Sequence, residues 1–263
     1  MEMGLKGAVA VVTASSQGLG KATALALAQE GTNLVMCARG AERLEEAAHE
    51  IREQTGVQVL AVPADLSTEQ GISAVIGTAV EQFGRIDVLV TNAGGPHPGD
   101  FTKHSDEAWQ RAFELNMLSV VRLIRAALPY LKASGRGRII NFSSTSVKQP
   151  IDGLILSNSL RAAVIGMAKT LATELAPHGI TVNNIAPGRL DTERVRSLDR
   201  NRASTLGISE EEAKQAQIAN IPLGRYGDPM ELAALAVFLA SDKASYITGT
   251  TIQVDGGLVK GIM

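Results

Sequence analysis

Apolar and polar positions follow two alternating rhythms along the whole chain. Runs rich in Val, Ile and Leu at consecutive positions recur at Ala8–Val12, Asn33–Cys37, Val57–Val62, Asp87–Thr91, Arg138–Phe142, Ile180–Ile185 and Thr251–Val254. Apolar character at successive residues predicts strands covered on both faces. Between these runs lie stretches with apolar residues at helical spacing: Leu19 to about Glu30, Ala41–Gln54, Thr68–Phe83, Ser105 to about Leu131, Leu154–Ala176 and Met230–Ala240. Gly71 and Gly77 weaken the third, which keeps Ile72, Val75, Ile76 and Val80 at helical spacing. A strand–helix–strand series closes through right-handed crossovers into an α/β fold, a doubly wound parallel sheet with helices on both faces. No composition break, internal repeat or low-complexity tract divides it, so residues 1–263 read as a single domain.

In such a sheet ligands gather at the carboxyl ends of the strands, beside the point where the strand order reverses. The segments that follow strands therefore carry the candidate chemistry. Thr13-Ala14-Ser15-Ser16-Gln17-Gly18-Leu19-Gly20 follows the first strand and opens the first helix. Bare N–H groups and the helix dipole suit a phosphate there. Gly18 and Gly20 permit close backbone approach, and Ser15 and Ser16 offer hydroxyl donors. The same stretch would also serve as an ordinary strand-to-helix turn. Arg39 follows the second strand with no acid before Glu42, which suits a ribose 2′-phosphate and favours NADP over NAD; a helix-flanking surface arginine is the plainer alternative. Asp65-Leu66 follows the third strand, where Asp65 suits an adenine amino group or a turn and Ser67 a helix cap. Asn92-Ala93-Gly94-Gly95-Pro96-His97-Pro98-Gly99 follows the fourth, the hydroxyl cluster Ser143–Ser146 the fifth, and Pro187-Gly188 the sixth.

The 263 residues are 45% hydrophobic and 20% charged, with a formal net charge of −2. That leaves ample core material and no basic excess, which argues against a nucleic acid or an anionic membrane as partner. The single cysteine, Cys37, allows no internal disulfide and reads as a small buried hydrophobe in a reducing, cytoplasmic setting. The first residues lack the apolar stretch of a secretory leader, and Leu232–Ala240 is too short for a membrane span, so neither is expected.

Taken in order, the Thr13–Gly20 motif, Asp65-Leu66, Asn92-Ala93-Gly94, Asn116, Asn141-Phe142-Ser143-Ser144, Pro187-Gly188 and Asp255-Gly256-Gly257 resemble the short-chain dehydrogenase/reductase superfamily, and within it the β-ketoacyl-acyl-carrier-protein reductases. The resemblance runs from about Leu5 to Gly257. It implies a Rossmann-type sheet of about seven strands and NAD(P)-linked interconversion of a small-molecule carbonyl and its secondary alcohol. It also implies a homotetramer, or a dimer, with Val254–Gly257 at a subunit contact. Thr13, Ser15, Ser16, Gly18, Leu19, Gly20, Arg39, Asp65, Leu66, Asn92, Ala93, Gly94, Pro187, Gly188 and Thr192 would then border the cofactor, with Asn92, Ala93 and Gly94 supporting the central sheet and the adenine side and Thr192 touching the nicotinamide end. Asn116 would hold a relay water, and Ser144 would bond the substrate oxygen.

Three positions depart from that pattern. Registering the helix by Ala162–Ala172 puts Ser157 where the family has tyrosine and Arg161 where it has lysine. A serine hydroxyl is far less acidic than a phenol, and an arginine stays protonated. General acid–base catalysis typically gives about 10²–10⁴ in rate, or about 3–5 kcal/mol of barrier. Ala14 stands where the family usually has glycine, and its Cβ fits only a turn that keeps φ negative. None of Tyr130, Tyr226 and Tyr246 falls near this position. His97 and Lys148 are the candidate substitute proton donors, each equally readable as a solvated loop residue. The segment 189–221 is polar, is expected to be mobile and, by the resemblance, covers the substrate. It carries Arg189, Arg194, Arg196, Arg200 and Arg202, which suit an anionic substrate or, with Asp191, Glu193 and Asp199 among them, a solvated face. Ser209 and Glu212 predict a capping box for a short helix. Two functions are consistent with this sequence: an oxidoreductase with an altered active site, or an NADP(H)-binding or assembly module that has lost the chemistry.

Overall fold

The computed structural model describes residues 2–261. Strands β1 (Val9–Thr13), β2 (Asn33–Ala38), β3 (Val59–Pro63), β4 (Val88–Thr91), β5 (Arg138–Phe142), β6 (Thr181–Pro187) and β7 (Thr251–Val254) form one sheet in the order β3-β2-β1-β4-β5-β6-β7. Every neighbouring pair is parallel. The expected doubly wound sheet is therefore present, and its seven strands match the seven apolar runs. Around it lie α1 (Gly18–Gln29), α2 (Ala41–Thr55), α3 (Glu69–Phe83), α4 (Asp106–Phe113), α5 (Ser119–Ser134), α6 (Ile155–Leu175), α7 (Glu193–Leu206), α8 (Glu210–Ile218) and α9 (Pro229–Ala240).

The consecutive apolar residues of each strand serve two cores at once. Ala10, Val12, Leu34, Met36, Val88, Val90 and Ile140 join the core shared with α1, α2 and α9. Val11, Val35, Cys37, Leu89, Ile139 and Val182 join the core shared with α3, α5 and α6. Fully burying a Val, Leu or Ile side chain contributes about 1.5–3 kcal/mol, so both faces hold the sheet in place. Alanines on α1 and α9 keep those two helices close on one face.

Two local expectations need correction, and one helix is added to those expected. The polar segment 189–221, read as holding one short helix capped by Ser209 and Glu212, folds as α7 and α8. Thr192 caps α7, accepting from the Val195 N–H, and the Ser209/Glu212 capping box starts α8 as expected. The cap of α3 is Thr68, which accepts from the Gly71 N–H at 3.1 Å; Ser67 instead bonds Asp65. The long stretch from Ser105 is broken by a π-helical turn at Glu114–Leu118 that separates α4 from α5.

The chain order reverses at β1, which pairs with β2 on one side and β4 on the other. The Thr13 hydroxyl ties the two strand tips together. It donates to the Asn92 carbonyl at 2.7 Å and accepts from the Asn92 N–H at 2.6 Å.

Candidate active site

Above that reversal point lies a cavity of about 510 Å³. Its floor at one end is the turn from β1 into α1. Gly18 has φ +56°, and a Cβ built there would lie 3.5 Å from the Thr192 methyl. A Cβ at Gly20 would lie 2.2 Å from the Ala14 carbonyl oxygen, so only glycine lets the helix seat on the strand. Ala14 itself has φ +48°, contrary to the expectation of a negative value. The turn keeps its glycine-like backbone and carries the Cβ as strain. Gln17 at the N-cap of α1 makes no side-chain cap, and no acid stands in the first turn. By contrast α3, α4, α7, α8 and α9 all have side-chain caps. The start of α1 thus presents uncapped N–H groups at the cavity floor, which suits a diphosphate.

Not every predicted cofactor residue reaches this space. Gly18, Leu19, Asn92, Ala93, Gly94, Pro187, Gly188 and Thr192 line it. Ser15 does not offer its hydroxyl: the side chain is fully buried, donates to the Val12 carbonyl at 2.8 Å and accepts from the Cys37 N–H at 3.1 Å. It locks β1 to β2. Ser16 and Thr13 lie outside the lining. Arg39 is exposed at the tip of β2. Asp65 forms a turn, accepting from the Ser67 N–H and hydroxyl. Those bonds, with a smaller contribution from the Arg39 charge, hold its carboxyl below the usual range. Leu66 is core.

The other end of the cavity gathers Ser144, Ser157 and Arg161 with Phe142 and Ser143. Ser144 follows β5, and its hydroxyl accepts from the Ser146 N–H at 3.1 Å. Ser157 and Arg161 sit one turn apart on α6, and Arg161 Nε donates to the Ser157 hydroxyl at 3.2 Å. Arg161 Nη1 also donates to the carbonyls of Phe142 and Ser143, at 2.9 and 3.1 Å. Burial first, then repulsion from Arg194, lowers the Arg161 pKa to about 10, so the group remains a cation at neutral pH. Asn116 lies behind this cluster, in the π-helical turn. Its amide donates to the Ala112 carbonyl at 3.2 Å, while Oδ1 is buried without a partner. A void of about 10 Å³, the size of a single water, touches Asn116, Ser143 and Arg161.

The cover comes from the segment after β6. Leu154, Leu190, Val195 and Leu198 give the cavity an apolar wall that no pattern in the sequence marks. Arg189 Nη1 donates to Asp199 at 2.9 Å, and the Tyr226 hydroxyl donates to the other Asp199 oxygen at 2.8 Å. Arg189 Nη2 reaches Gln217 at 2.8 Å, so one buried carboxylate and one arginine tie α7, α8 and the loop before α9 together. Arg194 Nη2 donates to the Pro96 carbonyl at 2.9 Å across the cavity mouth. His97 and Lys148 are exposed and do not line the cavity, so neither is placed to supply a proton. None of the tyrosines lines it either.

Comparison with known proteins agrees with this geometry. A family model described as enoyl-(acyl carrier protein) reductase matches residues 13–259. The 3-oxoacyl-(acyl-carrier-protein) reductase of Vibrio cholerae is 35% identical over 256 residues, which is 97% of this chain and 99% of that protein. Glucose 1-dehydrogenase 2 of Bacillus subtilis is 36% identical over 261 residues, covering 97% and 95%. The L-sorbose reductase of Gluconobacter frateurii, crystallised with NADPH and L-sorbose, superposes with a TM-score of 0.95 at 38% identity over the whole of both chains. With the strand order, the glycine turn and the post-strand residues in place, the chain belongs to the short-chain dehydrogenase/reductase family.

Proposed function

We propose that this chain is an NADP-preferring oxidoreductase that interconverts a carbonyl and a secondary alcohol, with Ser157 and Arg161 in place of the tyrosine and lysine that its family resemblance leads one to expect. The observation that carries the reading is the continuity of one cavity, from the uncapped start of α1 to the Ser144–Ser157–Arg161 cluster. The NADPH named with L-sorbose reductase is a further support. NADP bound in this cavity would supply or accept hydride. Gly18 and Leu19 border the position for its diphosphate, Thr192 stands over that turn although the resemblance puts it at the nicotinamide end, and Pro187 and Gly188 border the position nearer the substrate. Arg39, exposed and with no carboxylate at ion-pair distance among the described residues, suits the 2′-phosphate.

The two serines are arranged alike. Each hydroxyl oxygen accepts an N–H bond, from Ser146 N or from Arg161 Nε, which leaves its own O–H free to donate. Ser144 and Ser157 would together hold the substrate oxygen, and the Arg161 charge would offset the negative charge that develops on it. Neither serine approaches the acidity of a phenol, so Ser157 serves at most to relay a proton from water, and that transfer is slow. Turnover should therefore be slower by about 10²–10⁴ than with a tyrosine acid. Steady-state assays with NADPH over a broad panel of ketones and aldehydes test the reading. Activity above buffer supports it, and its absence across the panel overturns it.

The lack of any tyrosine lining the cavity favours a second reading, a module that binds NADP(H) without turning substrate over. Calorimetric titration with NADP beside the same panel separates the two: tight binding without turnover identifies the module. A cytoplasmic homotetramer is the assembly that accompanies the first reading, and light scattering tests it.

A further inference from the structure

The arginines of the cover divide into two groups once their partners are known. Each acid between residues 190 and 200 is already bonded to an arginine. Asp191 accepts from Arg196 Nε at 2.9 Å, Asp199 accepts from Arg189 Nη1 at 2.9 Å, and Glu193 pairs with Arg200. Arg194 has no carboxylate within ion-pair distance among the described residues, yet it lines the cavity. Its Nη2 is anchored to the Pro96 carbonyl, and no bond engages its Nε or Nη1. Arg161, on the opposite side of the same space, bonds only neutral groups and has no partner at Nη2. The only carboxylate in the lining is Glu193, which Arg200 occupies. Arg161 is thus buried in the cavity without a protein counter-charge, and Arg194, exposed to solvent at the mouth, faces the same space beside an apolar wall. An anion entering the cavity would meet both cations, and it would offset the cost of burying Arg161.

We propose that Arg194, opposite Arg161, receives a carboxylate of the substrate, so that the preferred substrates are oxo acids. The proposal deepens the carbonyl-reductase reading and rests on it. The planar fork of Arg194 can bond a carboxylate through two parallel N–H groups. Its placement argues for substrate over coenzyme. Thr192 lies over Gly18 at the diphosphate turn, whereas the Arg194 guanidinium lies over Gly95 and Pro96, where a Cβ on Gly95 would stand 3.1 Å from it. The apolar wall of Leu154, Leu190, Val195 and Leu198 is left for the carbon skeleton.

The test uses the NADP-loaded protein and a series of 2-, 3-, 4- and 5-oxo acids, each beside its methyl ester. Calorimetry reads binding to the NADP⁺ form, and kcat/KM is read with NADPH. At least one acid should exceed its ester by about tenfold or more in both measures. Arg194→Gln should abolish that ratio, Arg194→Lys should restore part of it, and Arg202→Gln, an exposed arginine of α7 outside the cavity, should leave it intact. Esters that match their acids throughout, or a ratio that survives in Arg194→Gln, overturn the proposal while leaving carbonyl reduction standing. Acids that bind through Arg194 but are never reduced sustain the anion site and overturn the claim that oxo acids are substrates, and the reductase reading falls with it only if the ketone and aldehyde panel is silent too. Failure of every acid to bind or react overturns the proposal itself.

Discussion

Ala14 is the only non-glycine residue with positive φ among the described residues, and it sits where the backbone turns under the expected diphosphate. A Cβ in the left-handed region costs roughly 1–2 kcal/mol. Ala14→Gly relieves that strain but gives the unfolded chain more freedom, worth about 0.5–1 kcal/mol in the other direction. The expected net gain is about 0.5–1 kcal/mol, read as a higher urea midpoint at unchanged m-value. A lower midpoint would show that the turn carries no strain at this position. The paired residues Ser157 and Arg161 pose a chemical question at the same scale. Ser157→Tyr with Arg161→Lys should raise ketone reduction by about 10²–10⁴ if proton donation is the missing element. Arg161 also bonds the carbonyls of Phe142 and Ser143, which one ammonium cannot fully replace. The single variant Ser157→Tyr should therefore keep more stability than the double and recover part of the gain. No increase in either variant would mean that the remainder of the cavity is not competent for hydride transfer.

The covering elements α7 and α8 depend on one carboxylate. Asp199 is buried and is shared by Arg189 and Tyr226, so Asp199→Ala strands a cation and a phenol together. Since Arg189 keeps partial contact with water, the loss should be about 2–3 kcal/mol, below the range for a fully buried pair. It should appear as protease cleavage within 189–221 and as a raised KM, with the sheet core intact by circular dichroism. Unchanged protease resistance would show that other contacts hold the cover. This element also marks the limit of what the sequence discloses. The seven strands and the long helices are legible because burial on both faces writes itself as continuous Val, Ile and Leu. In α7 the sequence from Glu193 to Leu206 is polar almost throughout, and its order comes from Asp199, Arg189 and Tyr226 meeting across long separations. The same holds in the site. Gly18, Gly94 and Ser144 are readable by their place after strands, whereas Ser157 and Arg161 stand out only against the pattern of the family that the sequence resembles. The inward hydroxyl of Ser15, the positive φ of Ala14 and the exposure of His97 are fixed only when the strands pair and the loops are laid down. That Arg194 alone of the cavity-facing cover arginines lacks an acid partner is likewise a property of the folded cover, not of its composition.

Across the molecule the two ends of the sheet do different work. At the amino ends, buried Asp87 accepts from the Val9 N–H at 2.9 Å and from Arg85 at 2.9 and 2.6 Å, closing off the strand starts with a satisfied charge. At the carboxyl ends the polar groups stay open towards a cavity. Between them the strands are buried on both faces, and Cys37 on β2 has no exposed surface. Burial raises its thiol pKa to about 12, with only a small opposing effect from the bond to the Ala14 backbone. A pKa raised on folding adds stability that is complete below the unfolded value and is lost as pH rises towards the folded value. The window thus opens near pH 9, the ordinary thiol value, and extends to about 12. Within it the thiol takes away up to about 1.4 kcal/mol per pH unit. The Tyr226 phenol, raised by burial and by its bond to Asp199, adds to the same slope from about pH 10 upward. Urea midpoints should therefore hold steady through neutral pH and fall progressively above about pH 9. Cys37→Ala should cost about 1 kcal/mol at pH 7 through the small void it leaves, yet flatten the alkaline fall, so that the two curves converge as pH rises. Parallel curves would mean that the thiol ionises without global unfolding, which a side chain sealed between two helical layers has no local route to do.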